Sequence, residues 1–293
     1  MELVPDSERF NSYYKEHPEK STVDRTFREA SPGEYSSQIL ENQFVDETFG
    51  LLAEMRQFVR GPVADETREI DPDEAAGFLK KNALKQGAVL VGITGSEEEF
   101  FYSFRGRGAR YGMPVDEFLP RIIVFVFEMD KNEVRQAPEP GQSAEVVRTY
   151  LKAATVALAT ARFIRSLGRE AVAHIDGESE LILSPAAAAA GLGEIGRHGL
   201  LVTKKYGSRV RLSAVTTDLP LPVDDVTAIV PKGLSSFCDS CGKCISACPA
   251  GAIAADVPGP GVNHEACFTA WKRFGTDCGI CLAVCPFSGI TQS

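Results

Sequence analysis

Residues 238–249 read CDSCGKCISACP, and residues 278–286 read CGICLAVCP. These two stretches hold seven of the eight cysteines, and the eighth, Cys267, lies between them. The 237 residues before Cys238 contain no cysteine, which indicates a module boundary. Because the first thirty residues show no export signal, disulfides are not expected, and the thiols are predicted to be ligands or redox groups.

The spacing of these cysteines is typical of a pair of [4Fe–4S] clusters. Three cysteines at intervals of three residues can hold three corners of one cube, while a fourth cysteine followed by proline ligates the other cube. Both halves have this design, with Cys267 replacing the first cysteine of the second run. The predicted ligands are Cys238, Cys241, Cys244 and Cys285 for one cluster, and Cys248, Cys267, Cys278 and Cys281 for the other. Structural zinc is the alternative, but it prefers two separated Cys-x2-Cys pairs around one tetrahedron.

The residues upstream of the cysteines predict a layered α/β (α+β) core. A helix capped by Asp71 or Asp73 and ending at Gln86 leads into a buried strand over residues 88–94. Further strands are predicted over 122–127, 171–175 and 210–217, a long helix over 143–167, and a short alanine-rich helix from Ser184. The predicted domains are an N-terminal extension over 1–70 with one amphipathic stretch (44–59), a core over 71–230, and a cysteine domain over 231–293.

The composition excludes several classes of protein. The chain has 293 residues, a formal net charge of −9 and 44% hydrophobic residues, as an ordinary globular protein does. Its acidic balance provides no electrostatic surface for nucleic acid or an anionic membrane, so we expect neither as a partner. No stretch approaches 18 consecutive apolar residues, and we therefore expect a cytoplasmic protein.

Residues 191–196 spell the dinucleotide-binding fingerprint, GLGEIG. That fingerprint requires a preceding strand, a following helix and an acidic residue about 20 positions later. Here an alanine-rich helix is predicted before the turn, and no acidic residue lies between Glu194 and Asp218. We therefore interpret the glycines as places where the backbone approaches a flat, bulky cofactor rather than as a nicotinamide site.

Six ordered stretches include this turn and lead to the first cysteine. They are Gly87–Ile93, Phe127–Asp130, Ala190–Leu201, Tyr206–Leu212, Thr217–Leu221 and Phe237–Cys238. Together, over about residues 75–287, they resemble the corrinoid-dependent reductive dehalogenases. The related epoxyqueuosine reductases share the layout, but their turn resembles Gly-Trp-x-Gly-Lys, and their aspartate proton donor stands where this chain has Arg148-Thr149-Tyr150. The resemblance implies a short cytoplasmic form with a nitroreductase-like corrinoid-binding core and a C-terminal bacterial-ferredoxin-like domain that holds two clusters.

The resemblance also implies a cofactor, cobalamin held base-off. None of the four histidines lies in the Asp-x-His-x-x-Gly arrangement that ligates cobalt from below, which agrees with this expectation. The residues expected to contact the corrin belong to the glycine turn. They are Gly191, Leu192, Gly193, Glu194, Gly196, Arg197 and His198.

Two catalytic residues follow from position in the family. Tyr150 is expected to donate a proton to the carbon from which halide departs, although a core tyrosine is the simpler interpretation. Arg209 and Arg211 alternate with apolar residues and lie on one side of a predicted strand. Arg209 is the expected basic partner that lowers the pKa of the tyrosine, and a solvated strand face is the alternative.

The resulting functional prediction is reductive cleavage of a carbon–halogen bond in an organohalide. Electrons are expected from a low-potential ferredoxin, flavodoxin or reductase, passing through both clusters to cobalt. An epoxyqueuosine-reductase-like enzyme and a non-catalytic electron-transfer or corrinoid-handling protein are the alternatives.

Overall fold

A computed structural model describes residues 7–29, 40–105, 112–116, 118–226, 233–257, 259–274 and 277–289. The helices are α1 (Glu8–Glu16), α2 (Pro18–Glu29), α3 (Leu40–Met55), α4 (Pro72–Lys85), α5 (Lys131–Arg135), α6 (Pro140–Ser166), α7 (Leu183–Ala189), α8 (Leu234–Cys241), α9 (Lys243–Ala247), α10 (His264–Phe274) and α11 (Ile280–Ala283). The strands are β1 (Leu90–Gly95), β2 (Arg121–Glu128), β3 (Ala171–His174), β4 (Glu194–Ile195), β5 (Leu201–Val202) and β6 (Val210–Thr217).

Four strands form one antiparallel sheet in the order β1-β2-β6-β3. The central strand β2 is apolar at every position from 122 to 127 because both faces of the sheet are covered. Ile123, Phe125 and Phe127 point to one hydrophobic cluster, whereas the alternate residues point to the other. The predicted α/β layering is therefore confirmed.

One face of the sheet packs against α6, α3 and α4. Ala153, Ala157 and Ile164 of α6 join Val45 and Leu52 of α3 in this cluster. Small residues along α6 allow the helix to lie close to the sheet, and the Ser213 hydroxyl in β6 donates to the Ala153 carbonyl at 2.9 Å. This packing fixes the position of Tyr150, in the first half of α6.

The other face of the sheet packs against α7 and the β4–β5 hairpin. Ala186, Ala187 and Ala190 are buried there beside Val124 and Val126 of β2. The predicted alanine-rich helix is confirmed, and it leads into the glycine turn.

Residues 1–70 contain more structure than their sequence indicated. The predicted amphipathic stretch corresponds to α3, but α1 and α2 were not predicted. Both helices are rich in charged and polar residues, although each has its few apolar residues on one side, as Phe10, Tyr13 and Tyr14 show in α1. No helix among the described residues combines the length and the apolar character that crossing a membrane requires.

Candidate functional site at the cysteine segment

Four cysteines border one cavity on the side of the cysteine segment that faces the glycine turn. The cavity is lined by Cys238, Cys241, Cys244 and Cys285, together with apolar and polar residues of the glycine turn, the β5 strand and the cysteine segment. Phe237 and Phe287 both line this cavity, and their rings meet edge to face with centroids 5.0 Å apart. The structure thus brings together four thiols that the spacing assigned to one cluster, although they come from residues 47 positions apart.

The remaining four cysteines are also neighbours of one another. Burial, followed by the charges of Cys248 and Cys278, raises the pKa of Cys267 to about 11. Burial, followed by the charges of Cys267 and Cys278, raises the pKa of Cys281 to about 12. Thiols in these surroundings become thiolates only if a strong positive charge is bound among them, and the iron ions of a cluster would supply that charge.

The two halves turn at equivalent glycines. Gly242 follows Cys241 with φ +58°, and Gly279 follows Cys278 with φ +59°. A left-handed backbone at these positions begins the short helices α9 and α11, each of which carries a cysteine into its cysteine group. Among the described residues, no three or more His, Cys, Asp or Glu side chains are arranged to hold a single metal ion.

A buried polar group without a partner lies beside the second half. Gln142 of α6 is fully buried, and both its amide nitrogen and its amide oxygen lack a hydrogen-bond partner within the described residues. A Cβ added to Gly279 would stand 2.5 Å from that nitrogen, so the amide lies directly against the Cys278–Cys281 loop. An orphaned donor at this place fits a bound group with sulfur acceptors.

Tyr150 lies where α6 meets the cysteine segment. It packs against a small apolar cluster that includes Leu282, and Cys281 and Leu200 pack against the same cluster. The guanidinium carbon of Arg211 lies 5.0 Å from the centre of the Tyr150 ring. Arg211 also pairs with Asp277 at 3.1 Å, and Asp277 immediately precedes Cys278. A tyrosine, a cation and the cysteine loop therefore form one connected group.

Arg211 keeps its positive charge in this position. Burial alone would lower its pKa, but Tyr150 and Asp277 outweigh that effect and raise the pKa above its usual value. The Asp277 amide donates to the Ser143 hydroxyl at 3.0 Å, which ties the loop to α6 two turns before Tyr150. A cation fixed over a phenol favours the phenolate form, which makes the phenol a better proton donor.

The expectation that Arg209 accompanies Tyr150 is corrected by its contacts. Its side chain donates to the Ser288 carbonyl at 2.8 Å and to the Met129 carbonyl at 2.8 Å, and it pairs with Glu128. These partners fasten the end of the cysteine segment to the sheet. Arg211 lies two residues further along the same side of the chain, and it is the arginine that contacts the tyrosine ring.

Arg197 and His198, which are expected to contact the corrin, both line the cavity of the first cysteine group. Arg197 is 8% exposed and donates to the carbonyls of Val257 at 2.5 Å and Gly259 at 2.8 Å, and it pairs with Asp239. These contacts join the glycine turn to the cysteine segment. Burial lowers the pKa of His198 to about 4, so its ring is neutral near pH 7.

The glycines of the turn have partners inside the chain. A Cβ at Gly193 would stand 2.4 Å from the Val202 carbonyl, and one at Gly196 would meet the His198 ring at 2.9 Å. These two glycines therefore allow β4 and β5 to pack closely. The contacts of the seven turn residues with a corrin stay predictions.

Sequence reasoning missed Asp277 and Gln142. Two signals could have identified Asp277. It directly precedes a cysteine predicted to be a ligand, and the positive charge of Arg211 needed a negatively charged partner. Nothing in the sequence distinguishes Gln142 from other polar residues near the start of a helix.

The comparisons with known proteins agree with this geometry. The 4Fe–4S binding domain family matches residues 235–254, so the chain contains such a domain. A tetrachloroethene reductive dehalogenase of Desulfitobacterium hafniense is 36% identical over 218 residues, which are 62% of this chain and 39% of the relative. The chain is a homologue of the reductive dehalogenases. A second such enzyme, from Sulfurospirillum multivorans, is 29% identical over 212 residues, 62% of this chain and 41% of the relative.

A solved structure extends the match to the fold. A catabolic reductive dehalogenase in complex with 3-bromo-4-hydroxybenzoic acid has a TM-score of 0.72 and 25% identity, over 83% of this chain and 37% of that chain. An epoxyqueuosine reductase of Burkholderia pseudomallei is 41% identical over 68 residues, 22% of this chain and 17% of the relative. The resemblance predicted from the motifs is thus confirmed: the homologues are oxidoreductases of both kinds. The chain spans about two-fifths of the length of the curated dehalogenases that it matches.

Proposed function

We propose that this chain carries out cobalamin- and iron–sulfur-dependent reductive cleavage of a carbon–halogen bond. The observation that carries the proposal is the Tyr150–Arg211 pair, which Asp277 joins directly to the Cys278 loop. The pair would supply a proton donor next to one of the two cysteine groups, in a homologue of the reductive dehalogenases. Such a reaction needs electrons and a proton at the same place.

Two [4Fe–4S] clusters would deliver the electrons. Cys238, Cys241, Cys244 and Cys285 would hold one, since they border a single cavity. The other four cysteines would hold the second, beside Tyr150. A low-potential ferredoxin, flavodoxin or reductase is the proposed donor, because [4Fe–4S] clusters work at low potentials.

The overall reaction consumes two electrons and one proton. The carbon–halogen bond breaks, a carbon–hydrogen bond forms, and halide leaves. The Tyr150 hydroxyl would supply the proton, and Arg211 would stabilise the phenolate that remains. The Asp277 carboxylate keeps the guanidinium over the ring throughout.

A corrinoid supplies a strongly reducing cobalt centre when it is bound. A solved reductive dehalogenase with a TM-score of 0.70 is described as suggesting a mechanism for B12-dependent dehalogenation, which supports the same cofactor here. We propose the base-off form, since the chain lacks the histidine motif of a lower ligand. The residues expected to contact it are those of the glycine turn, with the Tyr150 ring beside it.

The deciding experiment is anaerobic turnover with reduced methyl viologen on a panel of bromophenols and chloroethenes. Reconstituted protein is expected to hold about eight iron and eight sulfide and one corrinoid per chain. Tyr150→Phe should keep both clusters and the corrinoid, yet lose roughly 10²- to 10⁴-fold in rate. Tyr102→Phe, which changes an exposed tyrosine, is the matched control.

Two results would contradict the proposal. Turnover that survives Tyr150→Phe unchanged would remove the tyrosine from the reaction. Corrinoid binding without turnover of any organohalide would favour an electron-transfer or corrinoid-handling role. Epoxyqueuosine reduction is a second candidate, favoured by the epoxyqueuosine reductases among the homologues, and the same preparations should be assayed for it.

A further inference from the structure

His198 is one of three polar side chains on the wall of the cavity bordered by Cys238, Cys241, Cys244 and Cys285. Arg197 is engaged by carbonyl groups and Asp239, and Lys243 is exposed. His198 is 6% exposed, and its ring stands against the Gly196 backbone. It is therefore the buried group on this wall whose polar atoms remain to be accounted for.

The hydrogen bonding of the ring determines where its proton lies. The Leu200 backbone N–H donates to Nδ1 of His198 at 3.2 Å, so Nδ1 is an acceptor. A neutral imidazole whose Nδ1 accepts carries its hydrogen on Nε2. In the charged ring Nε2 carries a hydrogen as well, so this atom is a donor in either state.

Within the part of the chain that the structure describes, the only hydrogen bond of His198 is the one from Leu200. Its Nε2–H therefore has no protein acceptor there. Its position on a wall shared with four thiols makes sulfur the available acceptor.

We propose that the Nε2–H of His198 donates a hydrogen bond to a sulfur atom of the cluster held by Cys238, Cys241, Cys244 and Cys285, and so raises the reduction potential of that cluster. The proposal rests on the proposed presence of this cluster. Reduction adds negative charge to the cluster, and a hydrogen bond to sulfur stabilises the reduced state more than the oxidised one. The glycine turn would thereby set the potential at which electrons pass through the first cysteine group.

The test is a redox titration of the reconstituted full chain, followed by electron paramagnetic resonance. His198→Leu removes the donor, and His198→Gln keeps an N–H near the same place. At a fixed solution potential, His198→Leu should lower the reduced-to-oxidised ratio of one cluster by roughly three- to tenfold. A tenfold change corresponds to a shift of 59 mV in the reduction potential for one electron. His198→Gln should restore most of the shift, and the other cluster should not change. His264→Leu, an exposed histidine of the same segment, is the control.

Equal potentials in wild type and His198→Leu would overturn the proposal, as would equal shifts in the Leu and Gln variants, because shape alone would then explain them. If His198→Leu fails to bind iron, wild-type protein labelled with ¹⁵N-histidine still decides. A nitrogen coupling to one reduced cluster supports the hydrogen bond, and its absence contradicts it. A wild-type protein that assembles only one cluster, with the thiols of the first group unliganded, would instead contradict the proposed function and this inference with it.

Discussion

The antiparallel sheet and the cysteine segment are held together by different means. Six consecutive residues of β2, from 122 to 127, are at most 1% exposed, and helices cover both faces of the sheet. Among its described residues, the cysteine segment has four α-helices of 4 to 11 residues and few buried apolar side chains. Those that are fully buried there are Leu234, Ala252, Ile253, Ala270 and Leu282.

The difference indicates that the sheet is stable through apolar burial, whereas the cysteine segment depends on what its thiols bind. A segment of about 60 residues with so small a core usually needs metal or disulfides. Three arginines compensate in part, since each fastens this segment to the sheet domain. Arg197 reaches Asp239, Arg209 reaches Ser288, and Arg211 reaches Asp277.

The largest effect is expected from Cys248→Ala. Loss of this ligand should remove one cluster, lower the iron content from about eight to about four per chain, and abolish electron delivery. The electron paramagnetic resonance signal that remains should come from the cluster held by Cys238, Cys241, Cys244 and Cys285. Cys248 lies near Cys267 rather than near the cavity of that cluster. Iron analysis and electron paramagnetic resonance provide the measurement, with the exposed Ser246→Ala as control. Loss of the Cys238-group signal instead would disprove the exchange of ligands.

Phe125→Ala should weaken the other region. Phe125 is fully buried in the central strand, and its removal should lower the free energy of unfolding by about 3–5 kcal/mol. Because the thiols lie outside the sheet, iron content per folded chain should stay at the wild-type value. Denaturant unfolding and iron analysis on one preparation test both halves of this prediction. A parallel loss of iron would show that the two regions are not independent.

The pH dependence of the sheet region provides a third test. Burial lowers the pKa of His174 to about 4, and its ring bonds to Thr216 at 3.0 Å and accepts the Glu180 amide at 3.2 Å. Between pH 6.5 and 4 the unfolded chain binds a proton that the folded chain does not. The free energy of unfolding should therefore fall by about 3 kcal/mol as pH drops through this window. Denaturant unfolding at several pH values should show a shallower fall in His174→Asn; an unchanged slope would rule this histidine out.

The smallest effect concerns the arginine that accompanies Tyr150. Arg211→Lys keeps a charge but loses the planar guanidinium between the ring and Asp277, so kcat should fall by about tenfold with little change in KM. Arg209→Lys should lower thermal stability more than kcat, because its partners are the Ser288 and Met129 carbonyls and Glu128. If Arg209→Lys lowers kcat more than Arg211→Lys does, the pairing seen in the structure does not operate in catalysis.

The sequence predicted the sheet strands, the helices α3, α4, α6 and α7, and the four cysteines that border one cavity, but not α1, α2, α5 or the β4–β5 hairpin. β6 occupies the predicted residues 210–217, β2 is one residue longer than predicted at each end, and β3 is one residue shorter at its end. The agreement is this close because continuous apolar runs between breakers have few other interpretations. The cysteine groups were predictable since the reach of a short loop around a cube is a local property of spacing. The family was predictable for a similar reason, as its motifs are contiguous in the chain.

The folded structure is needed to tell which arginine faces Tyr150. It is also needed to tell which cavity receives Arg197 and His198. Alternation along a strand places Arg209 and Arg211 on the same side, but it does not say which of them meets α6 and which meets Ser288. Likewise, the glycine turn shows that backbone approaches something closely, while only packing reveals that Val202 and His198 fill the space. Local spacing and apolar period were enough to predict the layers and the four cysteines that meet at one cavity. The partners of the buried charges depend on how distant segments meet, and local patterns do not encode that meeting.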